Sequence, residues 1–489
     1  MSWELPLALD AASEQPIFLQ IARAIAGDVR RGRLRPGAVL PGSRALARTL
    51  GVHRNTVLAA YRELAAEGWI EHLAARGTFV SSDLPDPAPR RFARGASPRT
   101  AVPARLGFDL DGPTPEPLPP PAFPKGTLVL TGGVPDVRLA PAALLARAYR
   151  RALRAESGSA LGYGDPRGHE RLRAAIAAMV SSVRGLAAGP EAVMVTRGSQ
   201  QAIDLCARAL VAPGDVVAIE ALGYRPAWEA LRLAGARLVP LPVDDGGLRV
   251  DALEALAERE RVRLAYVTPH HQYPTTAVLA PGRRLALLAL AKAKRIAIVE
   301  DDYDHEFHFE GRPVLPMASA DDAGVVVYVG TLSKILAPGL RIGFVVAPPP
   351  LVERLATIRG FVDRQGDRAV ERAVAELLED GDVQRHARRA RRIYAARRDA
   401  LAEALRRELG AAISFAPPAG GMALWARVDG DVDVDAWAER ALARGVAFYP
   451  GRRFAFDGRR RPFVRLGFAA LSEDELGEAV RRMAAALRG

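Results

Sequence analysis

The chain is poor in cysteine and lysine and has no long apolar run, and each shortage excludes something. Its single cysteine, Cys206, rules out a disulfide within the chain, and its neighbours in AIDLCARAL predict a small apolar residue on a buried helix face. No stretch approaches the ~18 uninterrupted apolar residues of a membrane span. The opening MSWELPLALDAASEQ carries acidic residues and no basic stretch leading an apolar block. Secreted and membrane-integral classes fall away, and a reducing cytoplasmic location is expected. Lysine stands only at Lys125, Lys292, Lys294 and Lys334, so nearly all the basic charge is arginine. What is present is ample: 489 residues, 49% hydrophobic and 25% charged, exclude disorder as the main state and leave material for a large core. Lysine and arginine outnumber aspartate and glutamate by 68 to 56, which admits a polyanionic partner. The excess is spread out, since residues 1–80 hold ten arginines against seven acidic residues. Charge alone therefore identifies no nucleic-acid module.

Composition divides the chain into three. Residues 13–82 alternate helix-like and strand-like patterns, residues 83–125 are rich in proline, and residues 126–489 alternate short apolar strands with Ala/Leu/Arg helices. Proline removes amide donors and restricts its predecessor, so the middle stretch reads as a linker; as polyproline II it could span on the order of 100 Å. No tandem repeat at a solenoid period is seen.

In the first region Pro16 is expected as the first helical residue, followed by an apolar stripe of Ile17, Ile21, Ile25 and Val29. Ser43 is the expected N-cap of a second helix ending at Gly51, and a third begins after His53 and buries Val57, Tyr61 and Leu64. Ala47, Gly51 and Val57 supply the small crossing residue, the turn glycine and the branched apolar lock of a helix-turn-helix. Trp69-Ile70 and Thr78-Phe79-Val80 flank Arg76-Gly77 as a hairpin, which makes a winged helix. In that register Arg54, Asn55 and Thr56 open a recognition helix, Arg44 opens the helix before it, and Arg76 sits on the wing, where it could reach the minor groove. The segment QIARAIAGDVRRGRLRPGAVLPGSRALARTLGVHRNTVLAAYRELAAEGWIEHLAARGTFV resembles, almost end to end, the DNA-binding domain of the GntR family.

In the large region, VMVTRGSQQAIDL turns from strand to helix through Gly198-Ser199-Gln200, where free amides suit a phosphate. IAIVEDDYDHEF ends a strand in Asp301, Asp302 and Tyr303, at the edge where open α/β sheets bind ligands. VVVYVGTLSKILAPGLRIGFVV ends another in Thr331, Ser333 and Lys334, with Arg341 seven residues after the lysine: hydroxyls and a guanidinium for a phosphate, an amine for an aldehyde. Only a primary amine that can lose its proton forms a Schiff base, so arginine cannot replace Lys334.

Together these motifs resemble a fold-type-I, pyridoxal-phosphate-dependent aminotransferase, and the order winged helix, linker, aminotransferase-like domain resembles the MocR subfamily of GntR regulators. The likeness runs through TGGVPDVRLAP, YGDPRGHERLR, TPHHQYPT and the terminal VRLGFAALSEDEL. It implies an α/β protein with pyridoxal phosphate as cofactor, Lys334 as the Schiff-base lysine, Asp301 against the pyridinium nitrogen and Tyr303 on the ring hydroxyl. Tyr224 would stack on the ring, Ser199, Gln200, Ser333 and Arg341, with Thr331 beside them, would hold the phosphate, and Arg465 would take an effector carboxylate. Tyr273 belongs to the same cofactor site, where true aminotransferases usually carry asparagine. Thr276 stands where the subfamily usually has glycine, and EALGY lacks the usual proline before Tyr224; slow transamination is expected. The implied partners are double-stranded DNA, a second copy of the chain and a small amino compound.

Three functions stay open at this point: a transcriptional regulator sensing the cofactor, an amino compound or both; a working aminotransferase with an appended DNA-binding domain; and a winged helix used for protein contacts. Asp301, Asp302, Asp304, His305, Glu306 and His308 suggest a metal site, but alternate residues of an extended segment face opposite ways, so no metal is expected. His270 and His271 read as hydrogen-bonded packing or neighbours of the cofactor. The run QRHARRARRIYAARRD, residues 384–399, reads as a solvated helix face.

Overall fold

The computed structural model describes residues 9–10, 13, 15–73, 76–85, 107–109, 123–155, 161–311, 314–430 and 432–488. It forms two compact units, Met1–Gly112 and Pro113–Gly489. Most of the expected linker, 83–125, lies outside the described residues.

The first unit packs α1 (Ile17–Arg30), α2 (Ser43–Leu50) and α3 (Arg54–Ala66) beside a hairpin of β1 (Ile70–Leu73) and β2 (Gly77–Val80), paired from Ile70↔Val80 to Leu73↔Gly77. Ile21, Ile25, Val57, Leu64 and Val80 are fully buried, and Ala47 lies in the same core. Gly51 closes α2 at φ +64, the left-handed cap that glycine adopts without strain. Two helix starts differ from expectation. Pro16 is the N-cap of α1 and not its first residue, and Gly42 caps α2 with Ser43 already helical. Ser43 instead accepts from Arg54 Nε at 3.3 Å. His53 caps α3, its Nδ1 accepting from the Asn55 amide at 3.2 Å.

The second unit is built on a seven-stranded sheet of β3 (Val193–Thr196), β4 (Val216–Glu220), β5 (Arg237–Leu241), β6 (Val262–Val267), β7 (Ala297–Asp302), β8 (Val326–Thr331) and β9 (Gly343–Val346). Its order is β3-β9-β8-β7-β6-β4-β5, with β9 antiparallel to both neighbours and the other pairs parallel. Except for the edge strand β5, the strands are mostly buried on both faces, so they read as continuous apolar runs. Met194, Val217, Tyr266, Val299, Val329 and Val345 meet α4 (Gly198–Leu210) on one face, where Cys206 is buried; Val195, Tyr328 and Phe344 pack on the other. Burial pushes the Cys206 thiol up to about 12, so it is inert packing. A smaller four-stranded antiparallel sheet carries a separate core around Trp437, Leu466 and Phe468.

The arginine run lies on the helix Asp382–Leu409, and only part of it is solvated. Arg385, Arg388, Arg389 and Arg392 are exposed, whereas Arg397 and Arg398 are buried. Arg397 pairs with Asp136 at 2.9 Å and Arg398 with Glu310 at 2.6 Å. These carboxylates are distant in sequence, and pairing offsets the cost of burying the charges.

Candidate cofactor site and nucleic-acid surface

The C-terminal ends of β7 and β8 meet the N-terminus of α4. Asp301 shares the face of Tyr266, whose hydroxyl donates to Asp301 Oδ2 at 2.7 Å; Asp301 Oδ1 is buried with no partner among the described residues. Burial pushes this carboxyl up to about 7, against the Tyr266 hydrogen bond, and the Asp302 charge adds to the rise. Lys334 follows β8 and donates from Nζ to the Gly133 carbonyl at 2.6 Å. Burial lowers its ammonium to about 8, Arg465 and Arg341 add to the fall, and Asp304 and Asp301 oppose it.

The expected phosphate end is a close approach of backbones. Gly198 opens α4 at φ +76, and a Cβ at Gly343 would fall 2.5 Å from the Gly198 carbonyl carbon. Arg341 donates to the Arg197 carbonyl at 2.8 Å, and Thr331 and Ser333 are buried against the Ile342 carbonyl. Ser199 and Gln200 are half-buried at the helix start, with Gln200 Oε1 unpartnered among the described residues. A cavity of about 970 Å³ opens here, lined by Thr196, Arg197, Gln200 and Arg341. Lys334 and Asp301 are not among its lining residues.

Above Asp301 the aromatics converge. Tyr273 meets Tyr224 at 5.6 Å and Tyr303 at 6.1 Å between ring centroids, both edge-on, and the Arg465 guanidinium lies 4.5 Å over the Tyr273 ring. The Tyr303 hydroxyl donates to the His271 carbonyl at 2.9 Å. Arg465 is buried, yet its Nε and Nη1 have no partner among the described residues. Sequence reasoning missed what holds Arg465 in place. Gly132 and Gly133 turn at φ +84 and +71, and a Cβ at Gly132 would lie 2.1 Å from Arg465 Nη1. The Gly-Gly pair of TGGVPD was the available signal.

Thr276 adopts φ +64, so the turn forms without glycine, in a region a β-branched residue occupies at a cost. Thr276→Gly should relieve roughly 1–2 kcal/mol of left-handed strain against about 0.5–1 kcal/mol of added chain entropy. A small net stabilisation is expected, read as a higher denaturant midpoint at unchanged slope. A lower midpoint would show that the threonine side chain contributes more than its backbone costs.

The metal reading needs correcting in one respect. Asp301 and Asp302 do face opposite ways, but β7 ends at Asp302 and the following turn brings His305 back over it, Nδ1 donating to Asp302 Oδ2 at 2.9 Å. Alternation stops where the strand stops. Asp304 instead pairs with His271 at 2.8 Å, and Glu306 pairs with Arg184.

In the first unit Arg44, Arg54, Asn55 and Arg76 are exposed and Thr56 is half-buried. The Arg54–Ser43 hydrogen bond brings the starts of α2 and α3 together; Arg76 immediately precedes β2.

Residues 18–80 match the family described as bacterial regulatory proteins, gntR family, and residues 127–483 match aminotransferase class I and II. The chain is 33% identical over 480 residues to the probable rhizopine catabolism regulatory protein MocR of Rhizobium meliloti, covering 98% of this chain and 95% of that one. It is 34% identical to the HTH-type transcriptional regulator TauR of Rhodobacter capsulatus, covering 96% of each. Among solved structures, LysN, the alpha-aminoadipate aminotransferase of Thermus thermophilus complexed with N-(5'-phosphopyridoxyl)-L-leucine, superposes with a TM-score of 0.70 at 34% identity, over 75% of this chain and 93% of that one. No helix among the described residues is long and apolar enough to cross a membrane. With a gntR-family helix-turn-helix followed by a fold-type-I aminotransferase domain, the chain belongs to the MocR-type transcriptional regulators of the GntR family.

Proposed function

We propose that this regulator binds pyridoxal phosphate through Lys334 and that its large domain, residues 126–489, reports the cofactor together with an amino compound to a DNA-binding domain, residues 13–82, across the linker 83–125. The carrying observation is Asp301 Oδ1, a buried carboxylate atom without a partner among the described residues, in a group whose charge acts on that of Lys334. A pyridine nitrogen would satisfy it, and its proton would hold the carboxyl ionised. When bound, the cofactor supplies an aldehyde that condenses with amines and a ring that withdraws electrons.

Lys334 supplies the amine for attachment. Ser199, Gln200, Thr331, Ser333 and Arg341 hold the phosphate at the start of α4. Tyr224 would cover the ring, Tyr273 would pack beside it, and Tyr303 would move its hydroxyl from the His271 carbonyl to the ring oxygen. Arg465, unpaired at Nε and Nη1 among the described residues, receives the carboxylate of an amino compound through a charge-assisted hydrogen bond. The chain acts as a homodimer that sets two winged helices on spaced half-sites of duplex DNA, with each α3 in the major groove. Equilibrium sedimentation giving a monomer at micromolar concentration would contradict the dimer.

The free Lys334 amine sets a pH dependence. Only the neutral amine attacks the aldehyde, so the rate of cofactor attachment to stripped protein should rise with pH and level off above about 8. A rise continuing to the ordinary lysine value of 10.5 would mean that the site does not depress this amine.

A working aminotransferase is the second reading, favoured by the likeness to LysN. Cofactor-loaded protein mixed with a panel of amino compounds, followed by absorbance and by keto acid release, separates the two. Spectral change with slow release is expected, because Tyr273 and Thr276 alter the pocket around the reacting carbon; rapid multiple turnovers would favour the enzyme.

A further inference from the structure

On the face of β7 opposite Asp301, three residues converge that the cofactor reading does not use. His270 follows β6, Asp302 ends β7 and His305 lies in the next turn; all are at most 3% exposed, and each can place one ligand atom within 4.8 Å of the other two. Their hydrogen bonds leave specific atoms free. Asp302 Oδ2 accepts from the Tyr328 hydroxyl at 2.7 Å and from His305 Nδ1 at 2.9 Å. Asp302 Oδ1, His305 Nε2 and both nitrogens of His270 have no partner among the described residues. His305 Nδ1 and Asp302 Oδ2, 2.9 Å apart, already stand at the spacing of two ligands of one ion, and an ion bound between them would take the place of the Nδ1 proton. The neighbouring cation is already engaged: Arg184 pairs with Glu306 and donates to Tyr328.

Buried polar atoms without partners are rare and costly. A carboxylate oxygen of Asp302, His305 Nδ1 and a nitrogen of His270, all buried, are donors that one cation would draw together. Two imidazoles and one carboxylate suit borderline divalent ions. Ligand atoms that all lie within 4.8 Å of one another already approach the ~3.3 Å edge of a tetrahedron with ~2 Å bonds.

We propose that His270, Asp302 and His305 bind one divalent cation of the zinc and cobalt class, tying the ends of β6 and β7 together on the face away from the cofactor site. The main rival occupant is a water that donates to Asp302 and His305 and accepts from His270.

Chelator-treated full-length protein titrated with cobalt(II) should take up one ion per chain tightly enough to survive gel filtration, with a ligand-field absorbance band. His270→Gln and His305→Gln should each weaken binding by more than the roughly 10–100-fold seen for loss of an outer-sphere partner, while the cofactor absorbance persists. No retained cobalt, or a band that survives both substitutions, would overturn the site and leave water as its occupant. If a variant fails to fold, anomalous diffraction at the cobalt edge from wild-type crystals decides: an ion among these three residues supports the site, and density elsewhere or none overturns it. None of the cobalt readouts depends on whether the cofactor binds at Lys334.

Discussion

Lys334→Ala is expected to abolish the visible absorbance of the cofactor-loaded protein, and borohydride reduction of the wild type should place the cofactor on Lys334. The loss should be complete because no other amine can substitute. Lys292 is engaged with Asp322 at 3.1 Å on the surface, and Lys125 and Lys294 are exposed. Non-covalent contacts at the start of α4 can still hold the phosphate but cannot form an imine. Lys334→Arg should lose the band as completely while keeping a positive charge, since a guanidinium does not deprotonate near neutral pH. Labelling at another lysine, or a band surviving in Lys334→Ala, would remove the assignment.

The second large effect is expected at the winged helix. Arg54→Ala and Arg76→Ala should each cost about 1–3 kcal/mol of specific affinity if they reach bases, or lower the salt slope by about one if they reach phosphates. Folding should be unaffected, because both side chains are exposed and the core rests on Ile21, Ile25, Val57 and Leu64. Arg54 has a further reason for its place. It is the first residue of α3 and bonds to Ser43, so its guanidinium is held at the end of the helix expected to enter the groove. Unchanged affinity at moderate salt for either variant, measured by fluorescence anisotropy, would show that its contact is misassigned.

Much of this is legible in the sequence, for identifiable reasons. Ala47, Gly51 and Val57 announce a helix crossing through size and backbone freedom, and the hairpin follows from apolar strands either side of Arg76-Gly77. Lys334 stands out as one of only four lysines in a chain whose basic charge is otherwise arginine. The illegible parts depend on chain segments far apart in sequence or on where an element stops. Arg397 and Arg398 read as solvated until Asp136 and Glu310 come against them. Arg465 is set by Gly132 and Gly133, near the opposite end of the same domain's sequence. The convergence of His305 on Asp302 is hidden when period-2 alternation is extended past the end of β7.

Coupling between the two domains rests on a difference in affinity, since a ligand shifts a regulator only as far as it prefers one arrangement over another. Binding to the chain's own upstream DNA, measured for cofactor-loaded wild type and for Lys334→Ala with and without an amino compound that perturbs the absorbance, reads that difference directly. A ligand-dependent change in affinity or bending in the wild type, absent from Lys334→Ala, is the expected result; identical DNA binding under all four conditions, together with rapid turnover to a keto acid, would contradict it.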